Sequence, residues 1–447
     1  MKKSRLLFVG VIASSLIVLP LAYALGARRA PSGPSATDLA LINGVIQLVE
    51  NDYVHQVDSH ELTKDALKGM LTRLDPHSDY MDEQEFKESE ADLNGKFGGL
   101  GIQISEEHGL PKVISPIDGT PAAQAGLQPG DLIVGIDGVS AQGVELSKIV
   151  RILRGTPGTN VKLTIARGTD APFEVSITRA IIQVQTVKSE LKLNGIGYVR
   201  VTEFGGDTPR DFKQAVMKLK QDAGGKLNGL VLDLRNDPGG LLSAAVAVSG
   251  TFLDGGTVVT IKGRRGGDNH AFQATPGGDL MPDTPIVVLI NGASASASEI
   301  VAGALQDRHR AKVMGTQSFG KGSVQTIIPL NGYGALRLTT ALYYTPGGRS
   351  IQGQGIAPDI IVKPPREQQV AGAFMPHEST LSGAFRNPGP LRKLESEKSP
   401  PKEGAPTEAE TYSAPVKTQI IGTPEDEQLK AALSYFEKLP SSTTGRG

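Results

Sequence analysis

The chain has 447 residues, too many for one ordinary domain, and enough apolar residues to fill more than one core. Its formal net charge of −1 carries no basic excess, and with no Trp and few aromatic residues it lacks the stacking platforms of nucleic-acid binders, so nucleic acid is not an expected partner. The absence of cysteine excludes disulfides, thiolate metal sites, cysteine nucleophiles and an N-terminal lipoprotein anchor.

Lys2, Lys3 and Arg5 precede an apolar stretch over residues 6–25, and Ala22-Tyr23-Ala24 has the small-residue pattern of a cleavage site. Residues 1–24 therefore read as a secretory signal that carries the rest out of the cytoplasm. Left uncut, the same stretch is nearly long enough to attach the chain to a membrane. Residues 28–36 read as a linker. Leu39, Ile42, Val45, Ile46, Val49 and Tyr53 recur at helical spacing, and a second helix is expected over 61–74, ended by the turn Asp75-Pro76-His77-Ser78. Residues 37–95 make an N-terminal helical region on this reading.

Residues 97–182 change to short strands and glycine-rich turns. Strands are expected at 100–104, 111–114, 132–136, 161–166 and 173–178, with helices at 122–125 and 146–153, a mostly-β module. Residues 186–363 alternate strands (196–201, 230–234, 258–262, 286–290, 312–315, 336–344) with helices (209–221, 241–252, 297–306). That alternation predicts an α/β core. Residues 386–415 are rich in Pro, Glu, Lys and Ser and read as a disordered linker. A last helix is expected over 423–439, with Thr423 as N-cap, Pro424 at the first helical position and Glu425 and Asp426 in the first turn. Leu429, Ala432, Leu433 and Phe436 make its apolar face. The first and last helices, both amphipathic, point to a homo-oligomer.

Three segments in the core carry candidate chemistry. In the run from Asn291 to Glu299, Ser294, Ser296 and Ser298 sit between a buried-type strand and a helix. By spacing alone they read first as turn and cap residues. The free N–H groups of the helix start would equally stabilise an oxyanion formed by attack of a serine. The run from Gly315 to Ser323 nearly matches a phosphate-binding loop, but Gly322 stands where Ser or Thr belongs and a strand follows. Nucleotide is not expected there. Lys321, among glycines with Phe319 and Val324, has no neighbouring acid in sequence. Buried, it would lose proton affinity and serve as a base; exposed, it is a loop lysine reaching into water. In the run from Asp233 to Gly240, two glycines at a helix start suit an oxyanion hole or an ordinary tight turn. In the β module, Gly99, Leu100, Gly101 and Ile102 lead into a strand edge that would pair with an extended peptide. No H-E-x-x-H pair or G-x-S-x-G elbow occurs, and no metal or cofactor is expected.

In order along the chain, these segments resemble the C-terminal processing peptidases, also called tail-specific proteases. The resemblance runs from the Leu74–Tyr80 turn through the PDZ-like glycine stretches, the Asp233–Gly240, Ala293–Glu299 and Ser318–Gln325 runs, and Thr345-Pro-Gly-Gly348 to Gly355–Ile360. It covers roughly residues 37–363. It implies an α/β fold in which a PDZ domain is inserted ahead of a ClpP/crotonase-like protease core. It implies Ser296 as nucleophile, Lys321 as general base and Gln325 as the lysine's support. The oxyanion donors would be the N–H groups of Ala297 and Gly240, with Gly239 the neighbouring alternative. Gly99, Leu100, Gly101 and Ile102 would hold a substrate's free C-terminus, and Arg154 would link that domain to the active site. The expected location is the bacterial periplasm, the expected partners are protein or peptide substrates, and an adaptor protein is allowed for. The alternatives are a PDZ scaffold on an inactive core and a crotonase-like enzyme acting on acyl-CoA.

Overall fold

The computed structural model describes residues 33–439 apart from 94–95, 118, 184, 371–376 and 389–414. The signal reading at 1–24 and nearly all of the expected linker at 386–415 lie outside the described residues. The chain divides into two compact units, 1–65 and 66–447. In the first, the helix Ala36–Asp52 opens with a reciprocal cap. The Ser35 hydroxyl accepts the Asp38 N–H at 3.1 Å, and the Asp38 carboxylate accepts the Ser35 N–H at 2.8 Å. No residue of this helix is buried; Leu39, Ile42, Val45 and Leu48 are all exposed. Among the described residues, no helix is long and apolar enough to cross a membrane.

The second unit is built on a six-stranded sheet. Val187–Lys192 runs antiparallel to Ile196–Val201, and from there Gly229–Asp233, Ile286–Ile290, Lys312–Gly315 and Ile360–Ile361 follow in parallel. The strands 196–201, 229–233 and 286–290 are buried at every residue, because both faces of the sheet are covered, and their unbroken apolar runs reflect it. On one face, the helices Thr208–Asp222, Leu242–Gly250 and Ala297–Asp307 supply Phe212, Val248, Val301 and Leu305 to the main core. On the other, Ile196, Tyr198, Val231, Val287, Leu289 and Met314 meet Leu429, Ala432 and Phe436. A second, five-stranded sheet centres on Ala335–Tyr344, which pairs with Asp79–Met81, Thr257–Gly263 and Ser323–Pro329; His270–Gln273 forms its far edge.

The β module has its own core of Val113, Ile133, Ile149, Leu163 and Ile165. Its strands are Ile102–Glu107, Leu110–Pro116, Leu132–Ile136, Val139–Ser140, Asn160–Ala166 and Phe173–Thr178, with helices Pro121–Gln124 and Leu146–Leu153. Lys96–Gly99 pairs with Ala180–Gln183 where the chain enters and leaves.

Three departures from the sequence reading concern helices. The helix Glu83–Leu93 was not expected; charge dominates it and hides its period. The last helix spans Glu427–Glu437 and starts later than expected, because Asp426, not Thr423, is its cap: the Asp426 carboxylate accepts the Leu429 N–H at 3.1 Å. The apolar face of that helix, expected to serve a second copy, is buried on the chain's own sheet, with Leu429 at 2% and Ala432 at 0% exposure.

Candidate active site

The strand Ile286–Ile290 delivers a turn whose three serines have different surroundings. The Ser294 hydroxyl donates to the Leu234 carbonyl at 2.7 Å and accepts the Asn291 N–H at 3.0 Å. The Ser298 hydroxyl donates to the Asp237 carbonyl at 3.1 Å. Both are fully buried and join this turn to the one after Gly229–Asp233. Ser296 alone is half-buried, and it sits at φ 55°, the left-handed region, as the N-cap of Ala297–Asp307. A serine holds that backbone only when its surroundings over-determine it.

The turn after Gly229–Asp233 explains its glycines. A Cβ on Gly239, at φ 102°, would lie 2.8 Å from Cβ of Ser296, so the two turns touch. The Gly239 N–H donates to the Asp237 carboxyl at 2.8 Å. Burial pushes that carboxyl well above its ordinary value. The N–H groups of Gly240 and Ala297 have no acceptor among the described residues. Of the two glycines, Gly240 is thus the one with an amide to offer.

Lys321 enters from the loop between Lys312–Gly315 and Ser323–Pro329. The Phe319 N–H donates to the Ser294 carbonyl at 3.0 Å, which ties this loop to the serine turn. Burial pushes the Lys321 ammonium below its ordinary value, while Glu378 first and then Glu299 and Asp75 pull it back up, and Arg337 lowers it further. These acids are remote in sequence, which is why the lysine reads as lacking an acidic neighbour there. Tyr343, also missed by sequence reasoning, donates its hydroxyl to the Lys321 carbonyl and lies in hydrogen-bonding contact with the Ser296 side chain.

Gln325 is near but does not bond Lys321 among the described residues. Its amide donates to the Ser323 hydroxyl at 3.0 Å and to the Thr339 hydroxyl at 3.1 Å, and Thr339 donates to Asp75 at 3.0 Å. The Asp75–Ser78 turn is therefore a buttress behind Gln325. His77 Nε2 lies 2.9 Å from the buried Glu378 carboxylate, which also accepts the Gln352 amide at 2.8 Å, and Gln352 accepts the Gly322 N–H at 2.9 Å. The segment around Glu378 lies beyond the range that resembles a known family, so nothing in the sequence marked it.

In the β module, Gly99, Leu100, Gly101, Ile102 and Arg154 line one open groove with Phe97, Val150 and Leu153. The N–H groups of Leu100 and Gly101 have no acceptor among the described residues. Gly101, at φ 78°, has Thr120 packed where a Cβ would stand. The Arg154 guanidinium lies 4.5 Å from the centre of the Phe97 ring. Among the described residues, no group of acidic or histidine side chains could hold a metal ion.

Residues 195–362 match the model of peptidase family S41, residues 112–167 that of the PDZ domain, and residues 24–85 that of the activating protease CtpB N-terminal domain. A carboxy-terminal-processing protease of Bartonella bacilliformis is 48% identical over 363 residues, 80% of this chain and 82% of that one. The chain belongs to peptidase family S41. It is a serine-type peptidase of the carboxy-terminal-processing kind, with a PDZ domain, and the acyl-CoA alternative has no support. A probable CtpA-like serine protease of Staphylococcus aureus is 36% identical over 371 residues, 81% of this S41 chain and 73% of its own. Among solved structures, a photosystem II D1 C-terminal processing protease is 27% identical, with 72% of this chain and 92% of that one covered and a TM-score of 0.45.

Proposed function

We propose that the chain is an exported endopeptidase that holds the free C-terminal tail of an unfolded or loosely folded protein and cuts it with a Ser296–Lys321 dyad. The observation that carries this reading is the contrast within the serine turn. Ser296 is the one of the three whose hydroxyl does not tie this turn to the one after Gly229–Asp233, and it lies beside two unclaimed amides and the loop of a half-buried lysine.

Ser296 Oγ attacks the substrate carbonyl carbon while neutral Lys321 takes the hydroxyl proton. The oxyanion is met by the N–H groups of Gly240 and Ala297. Collapse expels the amine, which receives the proton from Lys321, and leaves an acyl-enzyme on Ser296. Water then attacks the ester with the lysine again as base, and Ser296 Oγ leaves with its proton restored. Gln325 acts on this reading through the Ser323–Thr339–Asp75 network that shapes the lysine's strand. The groove at Gly99, Leu100, Gly101 and Ile102 receives the tail by strand pairing, with its carboxylate on the unclaimed loop amides and Arg154 at the rim. Export to the periplasm through residues 1–24, a homo-oligomer and response to an adaptor belong to the same reading.

The test is cleavage of an unstructured polypeptide by the chain from Leu25 onward, with Ser296→Ala and Lys321→Ala beside it. The substrate is offered with a free apolar C-terminus and with that terminus amidated. Both variants should stay folded by circular dichroism and lose turnover, and amidation should weaken cleavage by the parent. Turnover by either variant would refute the dyad, and indifference to amidation would refute tail recognition.

A further inference from the structure

Glu299 stands in the first turn of the helix that follows Ser296, with no exposed surface. Both of its oxygens are fully engaged. Oε2 accepts the Ser296 N–H at 2.8 Å and the Lys321 N–H at 2.9 Å. Oε1 accepts the Ser318 hydroxyl at 2.6 Å and the Gly320 N–H at 2.7 Å. The bond to Ser296 is ordinary helix capping, in which the third helical residue reaches back to the cap's amide. The other three bonds are not, because they come from the loop 318–321, in another element.

We infer that Glu299 is a positioning residue of the peptidase: one buried carboxylate clamps the backbone of the nucleophile to the backbone of the base and sets their register. The inference rests on the dyad reading above. A carboxylate accepts at about four lone-pair sites, and all four are taken here by the parts that must be aligned. Its negative charge is also favourable at a helix N-terminus. Glutamine of the same size has one acceptor oxygen, and it would turn an NH2 group toward two N–H or O–H donors.

The clamp also acts on the base electrostatically. The Lys321 ammonium is faced by Glu378, Glu299, Asp75 and Arg337, and Glu299 is faced by Lys321 and the Tyr343 hydroxyl. Cleavage needs neutral lysine, so kcat/KM rises with pH through the lysine's pKa. Glu299 raises that pKa, so neutralising it moves the rise to lower pH. Burial also pushes the Glu299 carboxyl itself up to about 7, against its four donors. Protonating it removes acceptors from the clamp, a second source of lost activity on the acid side that a glutamine does not have.

The experiment measures pH profiles of kcat and KM on a peptide substrate for the parent, Glu299→Gln, Ser318→Ala and Lys321→Ala. Glu299→Gln should lower kcat on the order of a hundredfold, as misplacement by about 1 Å does. KM should stay within about twofold, because the tail is held elsewhere, and the acid limb should move to lower pH. An unchanged kcat, or a loss equal at every pH with the limb unmoved, would overturn the inference. Should Glu299→Gln not fold, Ser318→Ala decides. It removes one donor, which raises the Glu299 pKa and should move the acid limb to higher pH; an unmoved limb overturns the inference. Turnover by Lys321→Ala would mark failure of the dyad itself, and the clamp would fall with it whatever Glu299→Gln did.

Discussion

Three serines lie within five residues, and the hydrogen bonds of two of them single out the third. Lys321, whose N–H shares the Glu299 carboxylate with that of Ser296, is pushed down by burial, so its neutral form is populated below the ordinary lysine range of about 10.4. The acid limb of kcat/KM should accordingly fall below that value, as a pH profile with a neutral peptide substrate would measure. Tyr343 joins the Lys321 carbonyl to the Ser296 side chain, so Tyr343→Phe should lower kcat roughly five- to thirtyfold, the effect of one lost buried hydrogen bond, with little change in KM. The roles proposed for Ser296 and Lys321 came from the resemblance, which local motifs carry; by spacing alone the serines read first as turn and cap residues. Glu299 was legible only as the end of the serine motif, since its partners at 318–321 arrive through the fold. Glu378 could not be read at all: it meets His77 across 301 residues.

At the scale of elements, the buried strands were read within a residue or so, because an unbroken apolar run between turn signals leaves little choice of placement. Edge strands such as Val187–Lys192, mostly exposed, carry no such run and were missed. The last helix was anticipated, but its partner was not, because the residues that hold it are far upstream. Arg235, fully buried, donates to Asp233 at 2.5 and 2.9 Å, to Asp426 at 2.6 and 2.9 Å and to Gln428 at 3.0 Å. The Tyr198 hydroxyl adds a bond to Asp233 at 2.8 Å. Asp426→Ala removes the helix cap and leaves the guanidinium without part of its counter-charge. It should cost about 3–5 kcal/mol, read from urea unfolding, and deprotect the amides of 427–437 in hydrogen exchange.

At the scale of the whole molecule, the catalytic unit draws on both ends of the larger compact unit. The terminal helix covers the sheet face that carries Ile196, Tyr198, Val231, Val287, Leu289 and Met314. Removal of residues 415–447 should expose that face, and a dye that fluoresces on apolar surface should then bind, with aggregation in sizing. The lysine loop has a similar dependence. It rests on Gln352 and on Glu378, which in turn meets His77, while Arg235, just ahead of the Gly239–Gly240 turn, waits for Asp426, 191 residues later. Contacts of such long sequence separation form late. Synthesis must therefore run past Asp426 before every one of these supports is in place, so the proposed scissors stay unbraced while the residues that would do the cutting are already made.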